Sequence, residues 1–265
     1  MFFIPTPYST AARTRRLARA CVAIACLGLA LPVALAAAPD DAPDAAAILQ
    51  KADEVRFPAE AFQANVSIDT ITGDTVTDTR KYQILSKGND NTIVMVTEPA
   101  AERGQIMLMK GHNLWVFLPN VSQPVRLSFS QRLTGQVANG DLARVNFAGD
   151  YDPTLLRTEV VDGETMYVLQ LVARERNVTY HRVQYWVRKS NYWPYKAEFY
   201  SLSDRLLKTA LYDEFKRVAG RERPTRLIMQ DALRNDERST LLYSDIRPRD
   251  LPDRMFTKDY LKRLE

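Results

Sequence analysis

His112 and His181 are the only two histidines in the 265-residue sequence. Neither stands in an HExxH pattern or beside a GxSxG elbow, so neither is placed to ligate zinc or to activate a nucleophile. Each reads as a surface or edge-strand residue. Asp150 and Asp152 flank Tyr151, but one DxD without a further ligand cluster reads as a solvated turn ahead of Pro153 rather than a metal site. No glycine-rich loop follows a strand and opens a helix, so nucleotide binding has no support. The expected catalytic, cofactor and metal sets are all empty, and the protein is read as not an enzyme.

Side chains suited to binding remain. Arg126, Arg132 and Arg144 fall in one irregular segment and could meet an anionic head group or an acidic partner. The plainer reading is surface arginines with salt partners. Met95, Met107 and Met109 lie close together in apolar runs; thioether chains suit a lining that accepts variable lipid shapes, and suit ordinary core packing equally.

The elements that must position these residues are mostly strands. Asp44 is a candidate N-cap for a helix over 45–57, with Ile48, Ala52 and Val55 on one stripe and Pro58 ending it. Strand signals follow at about 62–71, 76–86, 92–97, 104–109, 113–118, 155–161, 165–173, 181–188, 194–200, 206–217, 224–233 and 238–246. The connections between most of them are short, so neighbours are antiparallel and the chain meanders. A last segment, with Leu251, Met255, Phe256, Tyr260 and Leu264 loosely at helical spacing, reads as a C-terminal helix capped by Asp253.

Alternation assigns faces. Val183, Tyr185 and Val187 share the apolar face of one strand, while Arg182, Gln184, Trp186 and Arg188 share the wet one. Trp193, Tyr195, Ala197 and Phe199 are inward candidates in the next, with Lys196 and Glu198 outward. The runs TIVMVT, GQIMLMK and NLWVFL, which contain the three methionines, Trp115 and Phe117, are apolar on both faces and need a second cover. Residues 119–150 follow directly and offer Val125, Leu127, Phe129, Leu133, Val137, Leu142, Val145 and Phe147. Gly135, Gly140, Gly149, Pro119 and Pro124 make a long helix unfavourable there. Short turns joined by glycine bends, forming a lid, are expected.

The N-terminal end carries Arg13, Arg15, Arg16 and Arg19 ahead of an apolar run from Ala20 to Ala36, which reads as a secretory signal peptide over 1–36. Residues 37–43 read as a flexible leader and 44–265 as a single domain. Removing the four arginines leaves 32 basic against 32 acidic residues, so the net charge of +4 gives no support to a nucleic-acid partner. Cys21 and Cys26 both fall in the signal peptide, which leaves the exported domain without disulfide or thiol chemistry. Cys26 has Ala23 where a lipobox has leucine, so ordinary secretion is expected. No second apolar stretch reaches the roughly 20 residues of a spanning helix.

The run LWVFLPNVSQPVRLSFSQRLTGQVANGDLAR, followed by NFAGDY, resembles the signature of bacterial outer-membrane lipoprotein-sorting-like proteins, distant relatives of the periplasmic lipoprotein carrier LolA. WPYKAEFYSLSDRLLKTALYDEF, RPTRLIMQDALRNDERSTLLYSDI and MFTKDYLKRL match that family's ordering, so the resemblance covers roughly 45–265. It implies a mainly β, LolA/LolB-like fold: an incompletely closed antiparallel β-barrel with an N-terminal helix and a helical or loop lid over an apolar cavity. It also implies the bacterial periplasm and an association with inner-membrane permeases of the RND or MMPL type. On this reading Met95, Met107, Met109, Trp115, Phe117, Phe129, Leu133, Val137, Leu142, Phe147, Tyr185, Trp193, Tyr195 and Phe199 are candidates for the cavity and lid. Arg126, Arg132 and Arg144 are candidates for head-group or partner contacts. A carrier of lipid or lipidated cargo is the leading expectation. A non-carrying adaptor docked on a permease is the alternative, and an unrecognised hydrolase is the third.

Overall fold

The carboxylate of Asp44 accepts the Ala46 N–H at 2.9 Å and opens helix α1 (Ala45–Arg56), which ends where Phe57 turns extended before Pro58. The computed structural model describes residues 43–88, 90–144 and 146–261. The expected signal peptide with both cysteines, the leader up to residue 42, Val145 and Leu264 lie outside them. Among the described residues no helix is long and apolar enough to cross a membrane.

The strands are β1 (Phe62–Thr72), β2 (Thr75–Lys87), β3 (Asn91–Glu98), β4 (Ile106–Lys110), β5 (Asn113–Phe117) and β6 (Val125–Leu127), then a small hairpin of β7 (Arg132–Thr134) and β8 (Val137–Ala138). Two short helices follow, α2 (Asn139–Ala143) and α3 (Phe147–Asp150). The second limb comprises β9 (Tyr151–Val161), β10 (Glu164–Ala173), β11 (Arg182–Arg188), β12 (Pro194–Tyr200), β13 (Leu206–Val218), β14 (Arg221–Asp231) and β15 (Glu237–Pro248), with α4 (Lys258–Leu261) last.

All strands but β7 and β8 form one 13-stranded sheet in the order β6-β5-β4-β3-β2-β1-β15-β14-β13-β12-β11-β10-β9. Each neighbour is antiparallel, as short connections dictate, and the two limbs meet where β1 pairs with β15. Strands β6 and β9 are the free edges, so the sheet is not closed. One core cluster takes side chains from both limbs, Met109 and Val94 from the first and Leu169 and Tyr185 from the second, together with Ile48, Leu49 and Ala52 of α1. The sheet therefore wraps around its own concave face, with α1 inside the curl.

The doubly apolar strands do have two covers, but they divide the work differently from the sequence expectation. The concave face of β3–β5, with Met107 and Met109, meets the segment after β6. The convex face carries Ile93, Ile106, Leu108 and Phe117, with Met95 and Trp115 packed beside them. It is covered by Leu251, Phe256 and Leu261 of the C-terminal segment. That segment is less helical than its spacing suggests: one 3-10 turn at Asp253–Met255 precedes the four-residue α4. Asp253 makes no capping bond and pairs with Lys87 at 2.6 Å instead.

A bulge between Trp186 and Val187, opposite Pro194 and Lys196, shifts the register of β12 against β11. Ala197 and Phe199 face inward, but Tyr195, the unpaired bulge residue, turns outward. It packs beside Trp186, Met166 and Val168, and its hydroxyl donates to Asp162 at 2.7 Å. Trp186, expected on a wet face, is buried in that convex cluster, and its Nε1–H donates to Glu159 at 2.6 Å. Trp193 lies in the turn before β12, half-buried and stacked on Phe215 at 4.0 Å, rather than in the interior.

Candidate functional site

Residues 128–150 carry the chain from one free edge to the other across the concave face. The cover begins later than residue 119, because Val125–Leu127 joins the main sheet as β6. Phe129, Val137, Leu142 and Phe147 are buried against the concave cluster, and Leu133 packs on it half-buried. Of the sequence candidates, these five come together with Met107, Met109, Tyr185 and Phe199. Met95, Trp115 and Phe117 lie on the opposite face of the sheet, and Trp193 and Tyr195 lie outside the enclosed space.

Gly135 adopts a positive φ of 48° in the β7–β8 turn, and a Cβ there would run into Ser239 and Thr70. Gly140 is different. It sits in α2 with ordinary helical backbone, and a Cβ would overlap the Thr179 side chain, so close approach rather than bending requires glycine.

Polar ties hold the cover at several points. The Asp53 carboxylate in α1 accepts the Ala148 N–H at 2.7 Å and a bond from Arg56 at 2.9 Å. Asp141 accepts the Ala138 N–H at 2.8 Å and the Tyr180 hydroxyl at 2.7 Å. The Gln136 N–H donates to Ser239 Oγ at 2.9 Å, fixing the hairpin to β15. Arg144 is no surface arginine: it is buried and grips Asp150 with two nitrogens, at 2.6 and 2.5 Å, while a third donates to the Gly111 carbonyl at 3.0 Å. Asp150 is accordingly buried, not a solvated turn residue. Arg126 is exposed and donates to Asn113 at 2.8 Å, and Arg132 is exposed on the hairpin.

A charged centre that sequence reasoning missed lies beneath the cover. Arg56 is buried, with its guanidinium 4.1 Å from the Phe147 ring and 5.8 Å from the Tyr212 ring. Burial pushes the Asp53 carboxyl above its usual range despite the adjacent Arg56 charge. Burial also pushes Tyr180 and Tyr185 well up; the Asp141 charge adds to this at Tyr180, and Tyr212 adds to it at Tyr185. Lys208, whose ammonium donates to the Gln136 carbonyl, is pulled down by burial although Asp141 lies 3.8 Å away. The only sequence signal for Arg56 was its spacing of three from Asp53, which on a helix ordinarily marks a surface pair.

Arg56 Nε and the Tyr185 hydroxyl are buried without a hydrogen-bond partner. The void lined by Arg56, Asp141, Phe147, Tyr180 and Tyr212 measures about 30 Å³, room for a single water. Two larger clefts open at the rim of the cover. One of about 190 Å³ runs between Tyr82, Val96, Met107 and Val116 of the concave face and Leu127 and Leu133. The other, of about 290 Å³, lies between the β7–β8 hairpin and the start of β13.

An unclosed antiparallel sheet, wrapped on an internal helix and bridged edge to edge by an apolar cover, defines the architectural class. A protein-family model described as "uncharacterized protein" matches residues 88–263. A LolA superfamily protein from Nitrosomonas europaea is 62% identical over 83% of this chain and 100% of its own, with a TM-score of 0.79. The chain belongs to the LolA superfamily. A DUF1329 family protein from Desulfovibrio piger (23% identity, 82% and 97% covered, TM-score 0.71) shares the fold. So does a predicted outer membrane lipoprotein-sorting protein domain from Vibrio parahaemolyticus (22% identity, 82% and 98% covered, TM-score 0.68). No curated protein matches the chain at a significant level.

Proposed function

We propose that the protein is a periplasmic carrier that shelters the acyl chains of a lipid or lipidated molecule between the concave sheet and the cover, and passes them between envelope components without making or breaking bonds. The observation that carries this reading is the cleft of about 190 Å³ at the rim of the cover, whose apolar wall of Met107, Val116, Leu127 and Leu133 is joined by charged Arg80, Glu102 and Arg132. Membership of the LolA superfamily supports it. An arriving chain would take the place of the cover's own side chains. Burying a sixteen-carbon chain at about 0.8 kcal/mol per methylene is worth about 12 kcal/mol, and exposing five apolar cover side chains at about 2 kcal/mol each costs about 10 kcal/mol. The two are close enough for the exchange to be reversible, which a carrier requires. Titration with a fluorescent fatty-acyl probe tests the reading: saturable binding that accelerates hydrogen exchange in 128–150 is expected, and no binding would refute it.

A second reading has its own observation. The central void of about 30 Å³ is far smaller than an acyl chain, so the closed interior is filled by its own side chains. A filled interior suits an adaptor that docks on an RND- or MMPL-type exporter and carries nothing. A cover that exchanges as slowly as the central strands, with no probe bound, would favour the adaptor.

A further inference from the structure

The larger rim cleft, of about 290 Å³, is the more cationic of the two. Arg132 of the hairpin, Arg205 before β13 and Lys208 within β13 converge on it, and Asp231 is the one carboxylate among its lining residues. That carboxylate is already engaged: it accepts the N–H groups of Leu233 and Arg234 at 2.8 and 2.9 Å and lies 3.7 Å from the Arg234 side chain. Asp141, near Lys208, is committed to Tyr180 and Ala138. Among the described residues neither Arg132 nor Arg205 has a carboxylate within ion-pair distance, and both side chains are exposed. The cleft therefore holds cationic charge in excess: two guanidinium forks without an ion-pair partner, beside a Lys208 ammonium that already donates to the Gln136 carbonyl. A phosphate monoester, with three free oxygens and up to two negative charges, matches two guanidinium forks more fully than a carboxylate with two oxygens and one charge.

The inner wall is apolar. Val137 and Tyr180 belong to the core cluster beneath the cover, and Leu233 forms an outer lip that is 75% exposed. A free phosphate has no use for such a wall. An amphiphile with its phosphate on the arginines and its chain running inward over Val137 uses both halves.

We infer that this cleft binds the phosphate-bearing head group of an anionic lipid, an inference that rests on the carrier reading and adds the chemical class of its cargo. The test is displacement of a fluorescent fatty-acyl probe from the purified exported chain by lysophosphatidic acid, by a monoacylglycerol of the same chain length and by inorganic phosphate. Lysophosphatidic acid is expected to displace the probe at a concentration about tenfold lower than monoacylglycerol, the increment of one or two charge-assisted hydrogen bonds. Arg205→Gln should shrink that ratio and leave displacement by monoacylglycerol unchanged; adding Arg132→Gln should bring the two lipids within about threefold of each other. Equal displacement by both lipids in the wild type, or a ratio that survives the double substitution, overturns the head-group site while leaving acyl binding intact. Inorganic phosphate binding as tightly as lysophosphatidic acid by calorimetry, and lost in the double variant, overturns it in favour of a free-anion site. Absence of any probe binding removes the carrier reading and this inference together, a result distinct from the others.

Discussion

Arg144 and Asp150 lie six residues apart across the end of the cover, and both are buried. Removing one partner of such a pair strands the other charge away from water, at a cost of about 3–5 kcal/mol. Arg144→Met should therefore lower stability by about that much in urea denaturation, whereas the double change Arg144→Met with Asp150→Leu should recover much of it. Equal losses in the single and double variants would show that packing, not the stranded charge, carries the effect. Asp53 gives a pH signature. Its folded carboxyl holds a proton above the usual carboxylate range because it is buried. Between the unfolded and folded values the native state binds more protons, so Asp53 makes stability fall as pH rises through that window. Arg56 stays cationic there, and Tyr185, Tyr212 and Tyr243 stay neutral because burial pushes each of them up. Urea midpoints of wild type and Asp53→Asn against pH should converge toward the acid end and diverge above it. Parallel curves would remove Asp53 as the source.

At the scale of elements, two segments cover β3–β5 from opposite sides, and they should behave differently. The C-terminal segment is a permanent wall: Phe256 is fully buried against Leu85, Ile93 and Leu108. Phe256→Ala should cost about 3–5 kcal/mol and leave acyl loading unaffected in the protein that remains folded. The segment 128–150 is held by scattered polar ties and closes over the buried guanidinium of Arg56, which lies 4.1 Å from the Phe147 ring. Lifting the cover returns that charge to water, which lifting the apolar C-terminal segment does not do. Hydrogen exchange in 128–150 should accordingly be faster than in β1 and β15. Phe129→Asp should abolish probe loading at a denaturant concentration where the sheet still gives its native circular dichroism. Simultaneous loss of both would make the segment part of the global core.

For the whole molecule, the decisive feature is that β6 and β9 do not pair and the chain itself spans the gap. A closed barrel would need strand separation to admit a ligand; here only the bridge has to move. Locking the bridge should therefore block loading without altering the fold. Gln136 Nε2 donates to Glu237 Oε2 at 3.1 Å, so Gln136→Lys places an amine against that carboxylate for carbodiimide coupling of the bridge to β15. The coupled variant should fail to take up the acyl probe and the uncoupled one should load it, with the same circular dichroism spectrum for both. Loading that ignores the coupling would mean that the ligand enters elsewhere.

The sequence by itself determined the elements of this protein. The Asp44 cap with the Ile48, Ala52, Val55 stripe specified α1, and alternation with short turns specified an antiparallel meander, because both signals are local. It also showed that Phe129, Val137, Leu142 and Phe147 are too apolar for a solvated loop. Tertiary structure decided what covers which face. Period-two alternation separates two faces of β3–β5 but is silent on whether residues 128–150 or 251–261 lies on each. One bulge opposite Trp186 reversed Tyr195, since the inserted residue breaks the alternation at that position while Ala197 and Phe199 beyond it still face inward. Arg56, Asp53, Arg144 and Asp150 were illegible as buried charges because a charge is buried only through partners distant in sequence: Ala148 for Asp53, Gly111 for Arg144. Arg205 joined Arg132 at one cleft for the same reason, as the fold brings together residues more than seventy positions apart that no spacing rule connects.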